Sequence, residues 1–215
     1  MGLETRFGGK HVVDTARGRT GRVSLLGAPR GPEVPRVGVR DYETADETSW
    51  LRCRVLGLLD TSHHDDVWQV RRRADLELVV VENGEVTGVL DVAVPGAEAV
   101  VESLAVLPEH RRRGLASALL AQAVRRLRRC GVRTLEAWVR DDSALTWFDR
   151  RGFVEAERHL RVQASAAEMG MVLSARYGVE PVSAVLRVEA GREAEMRRRF
   201  ERVHVCRKMV LDVRP

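Results

Sequence analysis

The sequence predicts one α/β (α+β) domain, with a single sheet whose strands alternate with helices. Three observations predict it. The runs Leu76–Val81 and Val86–Val94 flank Glu82-Asn83-Gly84-Glu85. Asn-Gly between β-branched runs predicts a type I′ hairpin, because that turn needs positive φ at both central residues. The stretch Val101–Leu120 begins as an extended apolar segment, stops at Pro108, crosses Arg111, Arg112, Arg113 and Gly114, and continues as a helix. That helix, Arg113–Arg129, keeps Ala116, Leu119, Leu120, Ala123, Val124 and Leu127 on one stripe. Ser117, Arg125, Arg128 and Arg129 point away, so the helix covers a sheet with one face only.

Taken in order, residues 1–35 hold Gly8-Gly9, Pro29, Gly31-Pro32 and Pro35 with little periodicity, and read as a flexible N-terminal extension. The domain proper is expected over 36–215. Val37–Arg40 reads as a first strand. A helix with Trp50, Leu51, Cys53, Arg54, Leu56 and Leu58 begins at Asp46, with Asp46 or Thr48 as caps. Thr61–Asp66 is a polar break, and Val67–Arg73 reads as a second short helix. After the hairpin, Pro95-Gly96 turns the chain again, so Ala99–Val106 is expected as a third antiparallel neighbour. Thr134–Arg140 reads as the next strand, Asp142–Arg151 as the next helix, and Gly152-Phe153 leads into a further strand. Val203–Val213 reads as the last strand. Between Gln163 and Arg202 the sequence predicts a helix around Ala166–Ala175, a strand Val182–Val188 and a charged helix Arg192–Phe200.

Bulk properties exclude several classes. No apolar run approaches the roughly 18–20 residues of a membrane span, and the first residues lack the apolar core of a secretory signal. The expectation is a soluble cytoplasmic protein with no membrane partner. Cys53, Cys130 and Cys206 fit neither a metal pattern nor a disulfide framework, and are expected as buried or half-buried free thiols. The formal net charge is +5 with a pI of about 9.7, and all but Lys10 and Lys208 of the 36 basic residues are arginines. No helix-turn-helix or aromatic-basic pattern accompanies the charge, so no nucleic-acid partner is expected. The basic cluster that carries meaning is the one at 111–113. A strand that ends in a basic turn feeding a helix holds phosphate well. N–H groups of the first helical turn lack intrahelical partners, the helix dipole adds positive charge, and Gly114 lets a ligand approach the backbone.

The run Arg111-Arg112-Arg113-Gly114-Leu115-Ala116 resembles motif A of the GNAT (Gcn5-related) N-acetyltransferases, Arg/Gln-x-x-Gly-x-Gly/Ala between a strand and a helix. Val106–His110 leads in as in that family, Ser117–Leu120 follows suitably, and the resemblance covers about residues 37–163. It implies a GNAT fold: a central mixed, mostly antiparallel sheet flanked by helices, with acetyl-CoA bound where the central strands splay. It makes 164–202 an insertion before the last strand. It also implies an acetyl-CoA-dependent N-acetyltransferase that moves the acetyl group to a primary amine, of a small molecule or a protein, by direct attack in a ternary complex. A non-catalytic acyl-CoA-binding module of the same fold is the alternative.

The resemblance distributes roles as well. Arg111 through Ser117 (Arg111, Arg112, Arg113, Gly114, Leu115, Ala116, Ser117) surround the pyrophosphate. The backbones of Leu104, Ala105 and Val106 pair with the pantetheine arm, and one of their N–H groups serves as oxyanion donor. An alkyl amine with pKa near ~10 is protonated at neutral pH, so a base helps. Glu102 is the first candidate base, with Asp91 and Glu136 as rivals. Asp60, His63, His64, Asp65 and Asp66 fall where the family's acceptor pocket is bordered, so Asp60, His64 and Asp91 are candidate substrate-binding residues. No metal is expected, because consecutive residues rarely converge on one ion. The chain departs from the pattern at two places. Phe148 stands where the family often has the tyrosine that protonates the departing thiolate. Asp141 or Asp142 replaces the asparagine that contacts the cofactor arm. The apolar residues Met169, Met171, Val172, Leu173, Val182, Val185, Leu186 and Val188 of the insertion call for burial. Their cover is either the domain's own sheet beside the acceptor pocket or a second copy, so monomer and homodimer both stay open.

Overall fold

The computed structural model describes residues 38–64, 72–171 and 182–214. The elements are β1 (Val39–Asp41), α1 (Glu47–Leu59), β2 (Leu76–Glu82), β3 (Glu85–Ala93), β4 (Glu98–Val106), α2 (Leu115–Arg129), β5 (Thr134–Val139), α3 (Asp142–Asp149), β6 (Val154–Ser165), β7 (Ser183–Glu189), α4 (Glu193–Arg199) and β8 (Arg202–Asp212). They form an eight-stranded sheet in the order β1-β2-β3-β4-β5-β8-β6-β7. Only β4 and β5 pair in parallel, joined through α2; every other neighbouring pair is antiparallel. The hairpin turns on Asn83 (φ 52°) and Gly84 (φ 81°), both positive as the Asn-Gly signal requires.

The central strands are buried on both faces. On one side α1 presents Trp50 and Cys53 to Val79, Val86, Val89, Ala105 and Leu107. On the other, α2 packs Leu115, Leu119, Leu120, Ala123 and Leu127 against Leu78, Leu90, Val92, Leu135 and Met209, together with Phe148 and Phe153. Gly57 sets how closely α1 lies on β4. A Cβ there would come within 2.9 Å of the Ala105 Cβ, 3.0 Å of the Val106 carbonyl oxygen and 3.2 Å of the Val106 nitrogen. A smaller core forms where Met196 of α4 and the following Phe200 cover Leu160, Val162, Ala164 and Val203.

Several sequence expectations change. The helix after the basic turn starts at Leu115 rather than Arg113, because Arg112 (φ 61°) and Gly114 (φ 81°) are left-handed and cannot belong to a right-handed helix. Asp46 occupies the N-cap position of α1, but its side chain makes no capping bond to that helix. Its carboxylate accepts the Glu43 N–H (2.8 Å) and two bonds from Arg40 (2.6 and 2.7 Å), closing the 3₁₀ turn Thr44–Asp46 ahead of the helix. Cys130 is exposed at the end of α2, while Cys53 and Cys206 are buried. Val182 and Val185 are 75% and 51% exposed. β7 is an edge strand, and its alternation turns Ala184, Leu186 and Val188 towards α4 and Val185 away. The helix expected around Ala166–Ala175 is a 3₁₀ segment over Ala166–Met171. Its remainder, the extension 1–35 and the helix Val67–Arg73 (but for Arg72 and Arg73, which precede β2) lie outside the described residues.

Candidate active site at the fork between two central strands

β4 and β5 pair only from Glu98–Val101 against Thr134–Ala137. β4 then continues to Val106 and β5 to Val139 without pairing, so the sheet forks. The Leu107 N–H donates to the Thr87 carbonyl at 3.0 Å, which fixes the phase of the β3–β4 ladder. In an antiparallel ladder hydrogen-bonded and non-bonded pairs alternate. Ser103, Ala105 and Leu107 therefore spend their backbone groups on β3, and Leu104 and Val106 direct theirs into the fork. Ala105 is instead a packing residue under α1. Glu102 is the extra residue of a bulge: Asp91 pairs with Ser103 and Val92 with Val101. It is exposed and is the first β4 residue past the last β4–β5 pair. Next to it, Ser103 is 5% exposed and its Oγ has no hydrogen-bond partner among the described residues.

β4 runs out of the fork into the basic turn. Ala118 is the first residue of α2 whose N–H finds a backbone acceptor, the Gly114 carbonyl at 3.0 Å. The N–H groups of Leu115, Ala116 and Ser117 are left as donors for an anion. The three arginines separate in role. The Arg111 guanidinium donates to both oxygens of Asp60 (2.6 and 2.7 Å), to the Gly57 carbonyl (3.1 Å) and through Nε to the Val106 carbonyl (3.4 Å). That bond holds the Asp60 carboxyl below its usual range and raises the arginine. Arg113 grips Glu82 through two bonds (2.8 and 2.9 Å), and Glu82 also meets His110 at 2.8 Å. Arg113, and with it His110, holds the Glu82 carboxyl low. Arg112 is exposed and has no ion-pair partner among the described residues.

The segment after α1 ties the two arms of the fork together. Asp60 holds Arg111 at the end of the β4 arm. Two residues on, the Ser62 N–H and Oγ both donate to Asp141 Oδ1 (3.0 and 2.6 Å), just beyond β5, and Arg140 donates to the Ser62 carbonyl (3.0 Å). His64 accepts from Arg202 on Nε2 (2.8 Å), which places the ring proton on Nδ1, facing the Thr61 carbonyl at 3.0 Å. Asp60, His64, Arg111, Asp141 and the Val106 backbone thus meet at the mouth of the fork. Asp91 is 4% exposed within β3, in register with Ser103 at the Glu102 bulge, and Glu136 is ion-paired to Lys208 at 2.7 Å. Asp65 and Asp66 lie outside the described residues. Phe148 is 6% exposed, packed edge-on against Trp147 and Phe153, so its ring is core.

Three residues at this site escape sequence reasoning. Gly57 had a signal, a helix-breaking residue in an apolar helix. Arg151 had one too, four residues after Trp147. It stacks on that indole with its Cζ 3.8 Å from the ring centroid, and it donates to Ser117 Oγ in the first turn of α2. Ser62 had none, because its partner Asp141 is remote in sequence.

The family model described as Acetyltransferase (GNAT) family matches residues 42–153. That span includes the hairpin, the fork, the basic turn and α3, and the chain belongs to this family. Solved structures agree in fold. The ribosomal-protein-S18-alanine N-acetyltransferase from Escherichia coli superposes with a TM-score of 0.56 at 18% identity, over 83% of this chain and 94% of that one. YncA from Salmonella typhimurium, with its cofactor acetyl-CoA, gives 0.53 at 17% identity over 84% and 95%. The PaiA N-acetyltransferase from Thermoplasma acidophilum, in complex with coenzyme A, gives 0.50 at 14% identity over 56% and 91%.

Proposed function

We propose that this protein is an acetyl-CoA-dependent N-acetyltransferase acting on a primary amine by direct attack in a ternary complex. The observation that carries the reading is the fork itself. Backbone groups of Leu104 and Val106 are left without a strand partner, one helical entrance away from the unpaired N–H groups of Leu115, Ala116 and Ser117. An extended amide-bearing arm that ends in a diphosphate satisfies both sets of groups. Acetyl-CoA, present in one fold neighbour, has that chemistry and supplies the electrophilic thioester carbonyl.

In this reading Leu104 and Val106 bind the arm as an added strand, and one of their N–H groups stabilises negative charge developing on the carbonyl oxygen. Arg112 and the first turn of α2 hold the diphosphate. Gly114 makes the turn by its left-handed conformation. Arg111, engaged by Asp60, acts mainly as the brace that holds the β4 arm against α1, and Asp141 acts with Ser62 as the brace on the β5 side. Glu102, exposed at the crotch of the fork, removes the proton from the incoming amine. His64 borders the acceptor side. The buried Phe148 favours the second reading, a non-catalytic acyl-CoA-binding module, because its ring offers no proton to a departing thiolate. A thiol with pKa near ~8.5 leaves without an acid more readily than an alkoxide would.

The test is coenzyme A release from acetyl-CoA with a panel of amines, with acetylated product identified by mass. The panel includes N-terminal alanine peptides, since ribosomal-protein-alanine N-acetyltransferases are among the fold neighbours. Product with at least one amine, and a loss of ~10²–10⁴-fold in kcat/KM for Glu102→Gln at neutral pH, are expected. The loss should shrink as pH rises and the amine deprotonates itself. Acetyl-CoA binding with no acetylated product from any amine would favour the binding module.

A further inference from the structure

We propose that the acceptor is the N-terminus of an acidic peptide, recognised by a basic sheet face on β6 and β7 with Arg161 at its centre. The inference rests on the function proposed above and names its substrate class. Trp138 stands on the β5 arm of the fork, one residue past the last β4–β5 pair. Its ring meets His159 of β6 edge-on at 4.8 Å, and the Arg187 guanidinium of β7 lies 5.7 Å from its centroid. These contacts put Trp138, His159 and Arg187 on one face of the sheet. Alternation adds Arg161 and Gln163 of β6 to that face, since Leu160, Val162 and Ala164 belong to the α4 core on the other. Across the ladders Arg161 pairs with Arg187 of β7 and with His204 of β8, so a basic residue stands in register on either side of it.

Like charges directly opposite each other destabilise a sheet, and proteins keep such violations at functional sites. The carboxylates that these strands carry on the same face do not balance the row. Among the described residues, Glu157 is bonded to Arg187, Glu136 is paired with Lys208 at 2.7 Å, and Glu189 stands at the exposed end of β7. Further cations border the face. Arg202 donates to His64 Nε2 at 2.8 Å and Arg140 to the Ser62 carbonyl at 3.0 Å, both neutral acceptors near the mouth of the fork. Burial first, then Arg187, Arg140 and Arg161, push the His159 imidazole below its usual pKa, while Glu157 pulls the other way. Flanking Arg161 along β6, His159 Nδ1 and one amide atom of Gln163 are buried with no hydrogen-bond partner among the described residues. The imidazole tautomer and the turn of the amide let each of them donate. A carboxylate is the group that offsets the charge of this row and accepts from these donors. β6 lies two strand spacings from the β5 arm, about 10 Å, a distance that about three residues of extended chain span. A peptide with its amine at Glu102 therefore brings a side chain from about its third residue to Arg161. A polyamine meets only repulsion there.

The test measures kcat/KM with acetyl-CoA for the peptide amides Ala-Ala-Glu, Ala-Ala-Gln and Ala-Ala-Lys, for the wild type, Arg161→Gln and Arg187→Gln. The wild type is expected to prefer the glutamate peptide over the glutamine peptide by about tenfold, the lower end for charge-assisted hydrogen bonds because the face is half-exposed. The lysine peptide should be poorer still. Arg161→Gln should bring the glutamate-to-glutamine ratio close to one, and Arg187→Gln should lower it part of the way. Coenzyme A affinity, measured alongside, should stay within about twofold in both variants, because distant sites act independently. If Arg161→Gln does not fold, the wild-type ratio and Arg187→Gln still decide. Equal kcat/KM for the glutamate and glutamine peptides in the wild type, or a better lysine peptide, overturns the proposal. So does an acid preference that survives both substitutions. An acid preference confined to ω-aminooctanoate over the matching diamine, with the peptides inert, makes the acceptor a small amino acid and overturns the peptide assignment. No product from any amine removes the proposed function as well, whereas turnover of amines without regard to their charge removes this inference alone.

Discussion

Replacing Gly57 by alanine sets two effects of opposite sign against each other. An alanine in a helix interior is better than glycine by about 1 kcal/mol. Against it stands crowding: the new Cβ would meet the Ala105 Cβ at 2.9 Å, the Val106 oxygen at 3.0 Å and the Val106 nitrogen at 3.2 Å. Overpacking costs about 1–3 kcal/mol, with the higher values where the neighbour cannot yield. Here two of the three neighbours are backbone atoms of a strand that is locked to β3 by its ladder, including the 3.0 Å bond from Leu107 to Thr87. The upper half of the range applies, and crowding wins by about 1–2 kcal/mol. For a domain of this size that lowers Tm by about 2–8 °C. The same push moves Val106, whose backbone faces the fork, so coenzyme A affinity should fall with stability. Thermal denaturation followed by circular dichroism, together with calorimetric titration of coenzyme A, reads both. A Gly57→Ala protein that melts at or above the wild-type temperature with unchanged affinity would refute the close seating of α1 on β4.

Gly114→Val puts a β-branched residue at φ 81° directly before α2, so it should weaken coenzyme A by more than tenfold and lower stability by about 1–3 kcal/mol; calorimetry with unchanged affinity would displace the phosphate site. Asp46 is held below its usual carboxylate range, first by its hydrogen bonds from Arg40. Its contribution is therefore fully present above its unfolded pKa of about 3.9 and is lost as pH falls through the lower folded value. The stability gap between wild type and Asp46→Asn in urea titrations should be constant from pH 7 to about 5 and close below about 4. Val185 is 51% exposed whereas Leu186 packs on the α4 core. Val185→Glu should leave Tm within about 2 °C, since exposed substitutions stay near ±0.5 kcal/mol, while Leu186→Glu should lower it far more in the same melting experiment.

The sequence by itself determined the elements whose causes are local. Asn83-Gly84 specified its turn because few other residue pairs take two positive φ values, and the stripe along α2 specified which face meets the sheet. The strand, basic turn and helix from Val101 to Leu120 placed the centre of the candidate site, because a helix N-terminus presents its free N–H groups wherever the helix packs. Tertiary structure decided everything that depends on pairing across the chain. Arg111, Arg112 and Arg113 are equivalent on paper. They differ only because Asp60 and Glu82, remote in sequence, are brought to two of them and not to the third. That Leu104 and Val106, and not Ala105, face the fork follows from the ladder phase, which one hydrogen bond to Thr87 fixes. Val182 and Val185 carry hydrophobicity but not address, so only the register of β7 on β6 shows that Val185 faces out while Leu186 faces α4. Arg151 reaches Ser117 across a separation of 34 residues. Local chemistry is written in neighbouring residues; which charge stays uncompensated is a property of the folded chain.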